Sequence, residues 1–222
     1  MYDAVVFDMD GVLLRRHPDY PDVYREAVHR AFESFDVNPP ESDLQAFYGE
    51  SSKSLEEMRS VCERHGLAFE SFWQEREHQS ATLQARMLER NERVLYDDAA
   101  VVETLATSHD LGVVSNNQHA TVESVVAHFD LDEYFQTIHG RDPTVEGYRR
   151  TKPDPHYLER ALDDLGTRSA LYIGDGASDV VAAHRAGLDS VFVRRPHRRG
   201  DDLQREPTAA VEELRSLPEL LR

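Results

Sequence analysis

The chain contains one cysteine, two lysines and no long apolar run, and each scarcity removes a class of protein. Cys62 has no second cysteine to pair with, so an internal disulfide is excluded and a reducing compartment is expected, most simply the cytoplasm. No segment approaches the ~20 consecutive apolar residues of a membrane span. The opening residues carry aspartates and no basic residue around their short apolar run, which is not the pattern of a signal peptide. Excess positive charge is also missing. The net charge of −17 argues against nucleic acid as a partner, because a phosphate backbone requires a concentrated basic surface. The arginine pairs at 149–150 and 194–195, and the basic stretch 197–199, read as solvated loops. Every cation among the 25 basic residues other than Lys53 and Lys152 is arginine. Acidic excess with so little lysine suits a surface kept soluble in concentrated salt, and adaptation to high salt is expected.

What remains is a globular chain. Its 222 residues match one domain, or one domain with a modest insertion. A chain of this length buries roughly 70% of its unfolded surface, enough for a core without covalent staples. Short apolar runs at 4–7, 111–114, 171–173 and 190–193, with a weaker one at 134–139, predict buried strands. Between them lie helical patterns at 99–107, 119–129, 155–165 and 178–186, with Gly166 and Gly187 placed as stops. This alternation predicts an α/β fold with a parallel sheet covered on both faces. Residues 17–92 break it with four helical patterns, at about 20–35, 41–48, 54–65 and 69–90, so they read as an all-helical insertion. The expected domains are 1–16 with 93–222, and 17–92. The spacing of Phe69, Phe72, Trp73 and Arg76 predicts core packing. The tail 207–222 reads as a closing helix that docks its leucines on the sheet.

Four sites bear chemistry. In VVFDMDGV (5–12), alternation puts Asp8 and Asp10 on one side of the chain at the carboxyl end of a buried strand, where open parallel sheets bind ligands. Two carboxylates held close need a proton, a metal or a cationic partner. Alone, the segment reads equally as an Asp-Gly turn. In VVSNN (113–117), Ser115 and the amides that follow, Asn116 among them, are placed to hold a phosphate at a helix start, or simply to cap that helix. Lys152 in TKPDP (151–155) is either a loop lysine or a point charge reaching inward to balance the aspartates. In LYIGDGASD (171–179), Asp175 leaves a strand and Asp179 enters the next helix. Hard oxygen donors with no cysteine, and no histidine in that turn, select magnesium over zinc. Each plain reading is tolerable singly. All four would have to coincide, in order, at one edge of one sheet.

The ordered set resembles the haloacid dehalogenase-like hydrolase superfamily, which is mostly phosphatases, and in particular its phosphoglycolate phosphatase and β-phosphoglucomutase-like branch. The resemblance spans nearly the whole chain. It implies a Rossmann-like core with a helical cap inserted after the first strand, the cap closing over the site to choose the substrate. It implies that Asp8 attacks phosphorus and that Asp10 protonates the leaving oxygen and later takes a proton from water. Ser115, Asn116 and Lys152 would bind the phosphoryl group. Mg2+ would be held by Asp8, the Asp10 main-chain carbonyl and Asp175, with Asp179 direct or through water. Arg15, Arg16 and Lys53 are candidates for an anionic substrate tail. The substrate expected is a small phosphorylated metabolite. A dehalogenase of this superfamily needs no metal and generally lacks the second aspartate of the first motif, so Asp10 and Asp179 weigh against it; a phosphonate-cleaving relative typically lacks that aspartate as well. A phosphosugar mutase, or a non-catalytic module on the same scaffold, remains an alternative.

Overall fold

A computed structural model describes residues 2–15, 20–48, 54–198, 203 and 205–221. Arg16 and Lys53, both expected near the substrate, lie outside the described residues. The chain divides into two compact units, one of Met1–Arg16, Arg93–Asp142 and Glu146–Arg222, the other of His17–Glu92 with Pro143–Val145. No helix among the described residues is long and apolar enough to cross a membrane.

The first unit is built on six parallel strands: β1 (Ala4–Phe7), β2 (Asp110–Gln118), β3 (Thr137–Arg141), β4 (Ala170–Gly174), β5 (Asp189–Val193) and β6 (Ala209–Val211). Their order in the sheet is β3-β2-β1-β4-β5-β6. The chain steps outward from β1 through β2 and β3, then crosses back to the other flank of β1 with β4. Such a reversal opens a crevice beyond the carboxyl ends of the strands. β1 is buried throughout because it is paired on both edges, its Phe7 opposite Val113 on one side and Ile173 on the other. A strand buried on both faces requires a continuous apolar run, and Ala-Val-Val-Phe supplies one.

Helices cover the sheet. α8 (His156–Leu165) lays Tyr157, Leu158, Ala161 and Leu162 against the sheet beside Tyr172 and Val114. Burying a side chain the size of Leu158 contributes about 1.5–3 kcal/mol. Gly166 ends the helix in a left-handed conformation at φ +66°, where a side chain would be strained. The helices α5 (Val101–Leu105), α6 (His119–His128), α7 (Val145–Arg149) and α9 (Ala177–Arg185) complete the αβ alternation. The short α7 carries no apolar periodicity and was not expected.

The second unit holds α1 (Tyr20–Ser34), α2 (Glu41–Tyr48), α3 (Leu55–Arg64) and α4 (Phe69–Glu89), each within a residue of its expected span. Phe32, Phe47 and Phe72 meet at centroid distances of 4.3–5.5 Å and form its aromatic centre. Phe69 and Trp73 are also buried, their rings 5.7 Å apart, and Arg76 lies over the Trp73 ring at 3.8 Å. The expected aromatic stripe is therefore packing. Cys62 is buried on α3, and burial pushes its thiol up to about 12.

Two expectations require correction. The tail is not one helix: Ala209–Val211 extends the sheet as β6, parallel to β5, and Leu217–Leu220 forms only a single helical turn, α10. Pro218 in that turn's first residues prevents a longer helix reaching back through it. The docking leucines are real, because Leu214, Leu217 and Leu221 are buried. Likewise, the 194–195 pair is not simply solvated. Arg194 is exposed, but Arg195 is buried and grips Asp98 with two bonds of 2.8 and 2.9 Å. It also donates to the carbonyls of Gly11 and Val12, at 3.3 and 2.7 Å, and stacks 3.7 Å over Tyr96. Asp98 in turn accepts from the Leu214 amide at 2.8 Å. One buried ion pair thus ties the loop after β1 to the C-terminal segment.

Burial opposes ionisation of Asp98, but the Arg195 fork and the Leu214 amide outweigh it and hold the carboxyl below its usual range. A lowered folded-state pKa gives stability that is present above the unfolded value, about 3.9, and is lost as pH falls through the folded value. Asp98→Asn is expected to cost about 3–5 kcal/mol at neutral pH, the scale of broken buried ion pairs. It should also flatten the acid limb of the stability curve. Denaturant unfolding across pH checks this, and equal stability of the two proteins at neutral pH would contradict it.

Candidate active site

The site grows from the end of β1. The Asp8 amide donates to the Ile173 carbonyl at 2.8 Å, one hydrogen bond past the last paired residue, which carries Asp8 out of the sheet between β2 and β4. The chain then turns sharply: the amides of Val12, Leu13 and Leu14 all point at the Met9 carbonyl, 2.9–3.3 Å away. Gly11 takes φ +88°, and a Cβ there would sit 2.2 Å from an Asp175 carboxylate oxygen. Only glycine admits both the backbone and the close approach of Asp175. The glycine of the first motif is therefore required by the acid of the fourth.

Lys152 supplies the balancing charge. Its Nζ lies 2.9 Å from Asp8 Oδ1 and 2.6 Å from Asp179 Oδ1, and it also donates to the Tyr172 hydroxyl at 2.7 Å and the Val114 carbonyl at 3.2 Å. All these groups are buried. Burial works against the ammonium, yet Asp179 and Asp8 together push the Lys152 pKa above its ordinary value, so it stays charged. Asp179 is fixed from its other side by the Gly176 amide at 2.9 Å, in the first turn of α9. Burial, with Asp179 and Asp8, drives the Tyr172 phenol well above its usual range, so it remains a donor, to Asp179 at 3.2 Å.

Asp8, Asp175 and Asp179 offer carboxylate oxygens that all lie within 4.8 Å of one another. Lys152 compensates two of these acids, and Asp175 is met instead by His197 at 2.8 Å and Arg198 at 3.2 Å. Burial raises the Asp8 pKa well above the carboxylate range; Lys152 opposes this, and Asp179 and Asp175 add to it. A nucleophilic carboxylate in that setting needs more positive charge than one ammonium. Three hard oxygen donors converging within reach of one ion fit magnesium.

The remaining expected residues are placed as follows. Asp10 does not join the acidic cluster with its side chain. Its Oδ1 is paired with the buried Arg93 and its Oδ2 accepts from Asn117 at 3.0 Å. Ser115 lies inside β2, which runs on past the expected end at 114 to Gln118. The polar Ser-Asn-Asn-Gln stretch has no apolar alternation to mark it as strand, and its pairing with β3 is irregular there. The residue capping α6 is Gln118, so Ser115 is not a helix cap. Its hydroxyl oxygen accepts the Asn117 amide at 3.1 Å. Asn116 turns its side chain to Lys152, donating to the Lys152 carbonyl at 3.1 Å and accepting its amide at 2.8 Å. Arg15 pairs with Asp97 at 2.7 Å on the surface. The 197–199 stretch, expected to be a solvated loop, instead brings His197 and Arg198 onto Asp175; Arg93 was not singled out, and Asn117 and Tyr172 were given no role of their own. Asn117 ends the second segment with no signal of its own, and Tyr172 stands within a strand as an apolar residue would. The three others are basic residues with no motif around them.

Residues 2–187 match the haloacid dehalogenase-like hydrolase family, and the chain belongs to it. Fold, acidic cluster and family together define a phosphoric monoester hydrolase of this superfamily, in its helical-cap branch. Among its relatives, pyrophosphatase PpaX of Halalkalibacterium halodurans is 23% identical over 239 residues, covering 99% of this chain and 95% of that protein. A phosphoglycolate phosphatase of Cereibacter sphaeroides is 27% identical over 194 residues, covering 83% and 82%. Of solved structures, a HAD phosphatase from Thermococcus onnurineus matches with a TM-score of 0.68 at 20% identity, covering 99% and 97%. A 2-haloacid dehalogenase from Pseudomonas syringae matches at 0.65 and 20%, covering 100% and 98%. The fold is thus shared by enzymes of different chemistry, and only the side chains distinguish them.

If the acidic cluster holds magnesium, the ion binds the folded chain and not the unfolded one. At about 100 times its Kd it should stabilise the protein by ~2.7 kcal/mol. Thermal unfolding should show a midpoint raised by Mg2+ and lowered by a chelator, and Asp175→Asn should lose most of that response. A midpoint indifferent to both additions would contradict the assignment.

Proposed function

We propose that this protein hydrolyses a small phosphate monoester through an aspartyl-phosphate on Asp8, with Asp10 as its acid–base group and Mg2+ as cofactor. The observation that carries the reading is the buried Asp8 carboxylate held 2.9 Å from Lys152, inside one cluster with Asp175 and Asp179. A loop carboxylate with a purely structural task has no reason to share that space with two further acids.

The chemistry follows from these residues. An oxygen of Asp8 bonds to phosphorus as the bond to the leaving oxygen breaks, and Asp10 delivers a proton to that oxygen. Water then attacks the phosphorus of the acyl phosphate, Asp10 accepts the water's proton, and the Asp8 carboxylate is released with inorganic phosphate. Magnesium, held by Asp8, the Asp10 main-chain carbonyl, Asp175 and Asp179, would mask the phosphate charge that otherwise repels a carboxylate nucleophile. Lys152 adds a fixed positive charge beside Asp8, and positioning plus electrostatics is what phosphoryl transfer chiefly requires. Ser115, whose oxygen is occupied by an amide, keeps its own hydrogen to donate to a phosphate oxygen. Asn116 supports the same group by fixing the Lys152 backbone. The helical insertion 17–92 serves as the cap that selects the substrate. The names of relatives, phosphoglycolate phosphatase and pyrophosphatase, support a small anionic phosphate compound.

Purified protein should release phosphate from a generic aryl phosphate with Mg2+ and stop on chelation. Asp8→Asn should abolish turnover, and Asp10→Asn should slow it by about 10²–10⁴-fold. Near-normal hydrolysis by Asp8→Asn would refute the nucleophile. A sugar phosphate isomerised without phosphate release would replace hydrolysis with mutase chemistry.

A further inference from the structure

We infer that Arg93, which lies outside every sequence motif of the site, is a positioning residue that fixes the Asp10 carboxylate for proton transfer. The inference rests on the reading of Asp10 as the acid–base group. Three observations carry it. First, the placement of Arg93 is set by backbone register. Chain leaving the first motif and chain returning at 94–96 form a short antiparallel ribbon: Leu14 bridges Leu95, the Arg15 amide donates to the Val94 carbonyl at 2.8 Å, and the Tyr96 amide to the Leu13 carbonyl at 2.9 Å. Arg93 enters just before that ribbon. Second, its side chain is only 1% exposed, whereas Asp10 is 26% exposed. Burying a guanidinium is costly unless it is paired, so a buried arginine aimed at a half-open carboxylate is an arrangement that burial alone would not favour. Third, the carboxylate is held at both ends. Arg93 takes Oδ1, Asn117 takes Oδ2, and Asn117 is itself next to the Ser115–Asn116 segment that supports Lys152.

A carboxylate that swings freely about its side-chain bonds spends little time within reach of the leaving oxygen, and small misplacements are costly in rate. Two donors on two oxygens fix both its position and its plane. A lysine at 93 would keep the charge and lose the planar fork. The guanidinium of Arg93 is paired with Asp10, so the effect assigned to it passes through that carboxylate.

The test separates steps that need a proton from one that does not. A dinitrophenyl leaving group departs without protonation, an alkyl alkoxide does not, and hydrolysis of the acyl phosphate needs a base with either substrate. With dinitrophenyl phosphate, Arg93→Met should complete its first turnover within about tenfold of the wild-type rate and then settle to a steady state about 100-fold slower, on the scale of a lost acid–base group. Acid quench should trap about one phosphoryl group per chain, the stoichiometry of one nucleophile. With an alkyl phosphate, Arg93→Met should show no burst, and Arg93→Lys should recover part of the loss. A uniform fall on both substrates without trapped phosphoenzyme would overturn the inference, as would unchanged steady-state rates. If Arg93→Met does not fold, the same readouts on Arg93→Gln, which keeps the length and a hydrogen-bond donor but not the charge, decide. An inactive wild-type protein would instead remove the phosphatase reading itself.

Discussion

The whole site depends on one buried ammonium. Lys152 stands among Asp8, Asp179, the Tyr172 hydroxyl and the Val114 carbonyl, drawing on four different segments that meet only because β1, β2 and β4 are neighbours. Desolvating that charge costs several kcal/mol. The two carboxylates offset the cost only when the three groups are held at contact distance. Asn116 locks the Lys152 backbone from β2, and Arg141 of β3 holds the Asn116 carbonyl at 3.0 Å. Removing the lysine would leave buried acids repelling one another. Its presence makes the carboxyl edge of the sheet a place where negative charge is tolerated, and a phosphate ester brings more of it.

Arginine does the complementary work. In a chain with two lysines, arginine would be expected mainly on the surface, and much of it is there. Among the described residues Arg93, Arg141 and Arg195 are buried, and Arg93 and Arg195 brace the first motif. Arg195 fastens the carbonyls of Gly11 and Val12 to Asp98, while Arg93 reaches the carboxylate of Asp10. The planar fork suits both tasks, because each requires several donors in fixed directions. The compact lysine is kept for the position where a single point of charge must serve two acids at once.

How much of this the sequence disclosed follows from the range of each signal. The strands and the four inserted helices were legible because apolar periodicity is local. Asp8, Lys152, Asp175 and Asp179 were legible because strand ends, small residues and a proline marked their surroundings. β6 was missed because three residues of strand carry little pattern, and the leucines beyond it mimic a helix. The extension of β2 through Ser115 was missed because polar residues there hide the strand. Arg93 and Arg195 were invisible for a different reason. A buried arginine in an irregular segment looks, in one sequence, the same as an exposed one, and only its partners at residues 10 and 98 reveal it.

In the proposed reaction Asp8 becomes covalently bonded to phosphorus. Acid quenching during turnover of an aryl phosphate, followed by borohydride reduction and peptide mapping, converts an aspartyl-phosphate into homoserine and so marks its position. The expected mark falls at residue 8 and nowhere else. Efficient phosphate release with no mark, or a mark at Asp10 or Asp175, would contradict it.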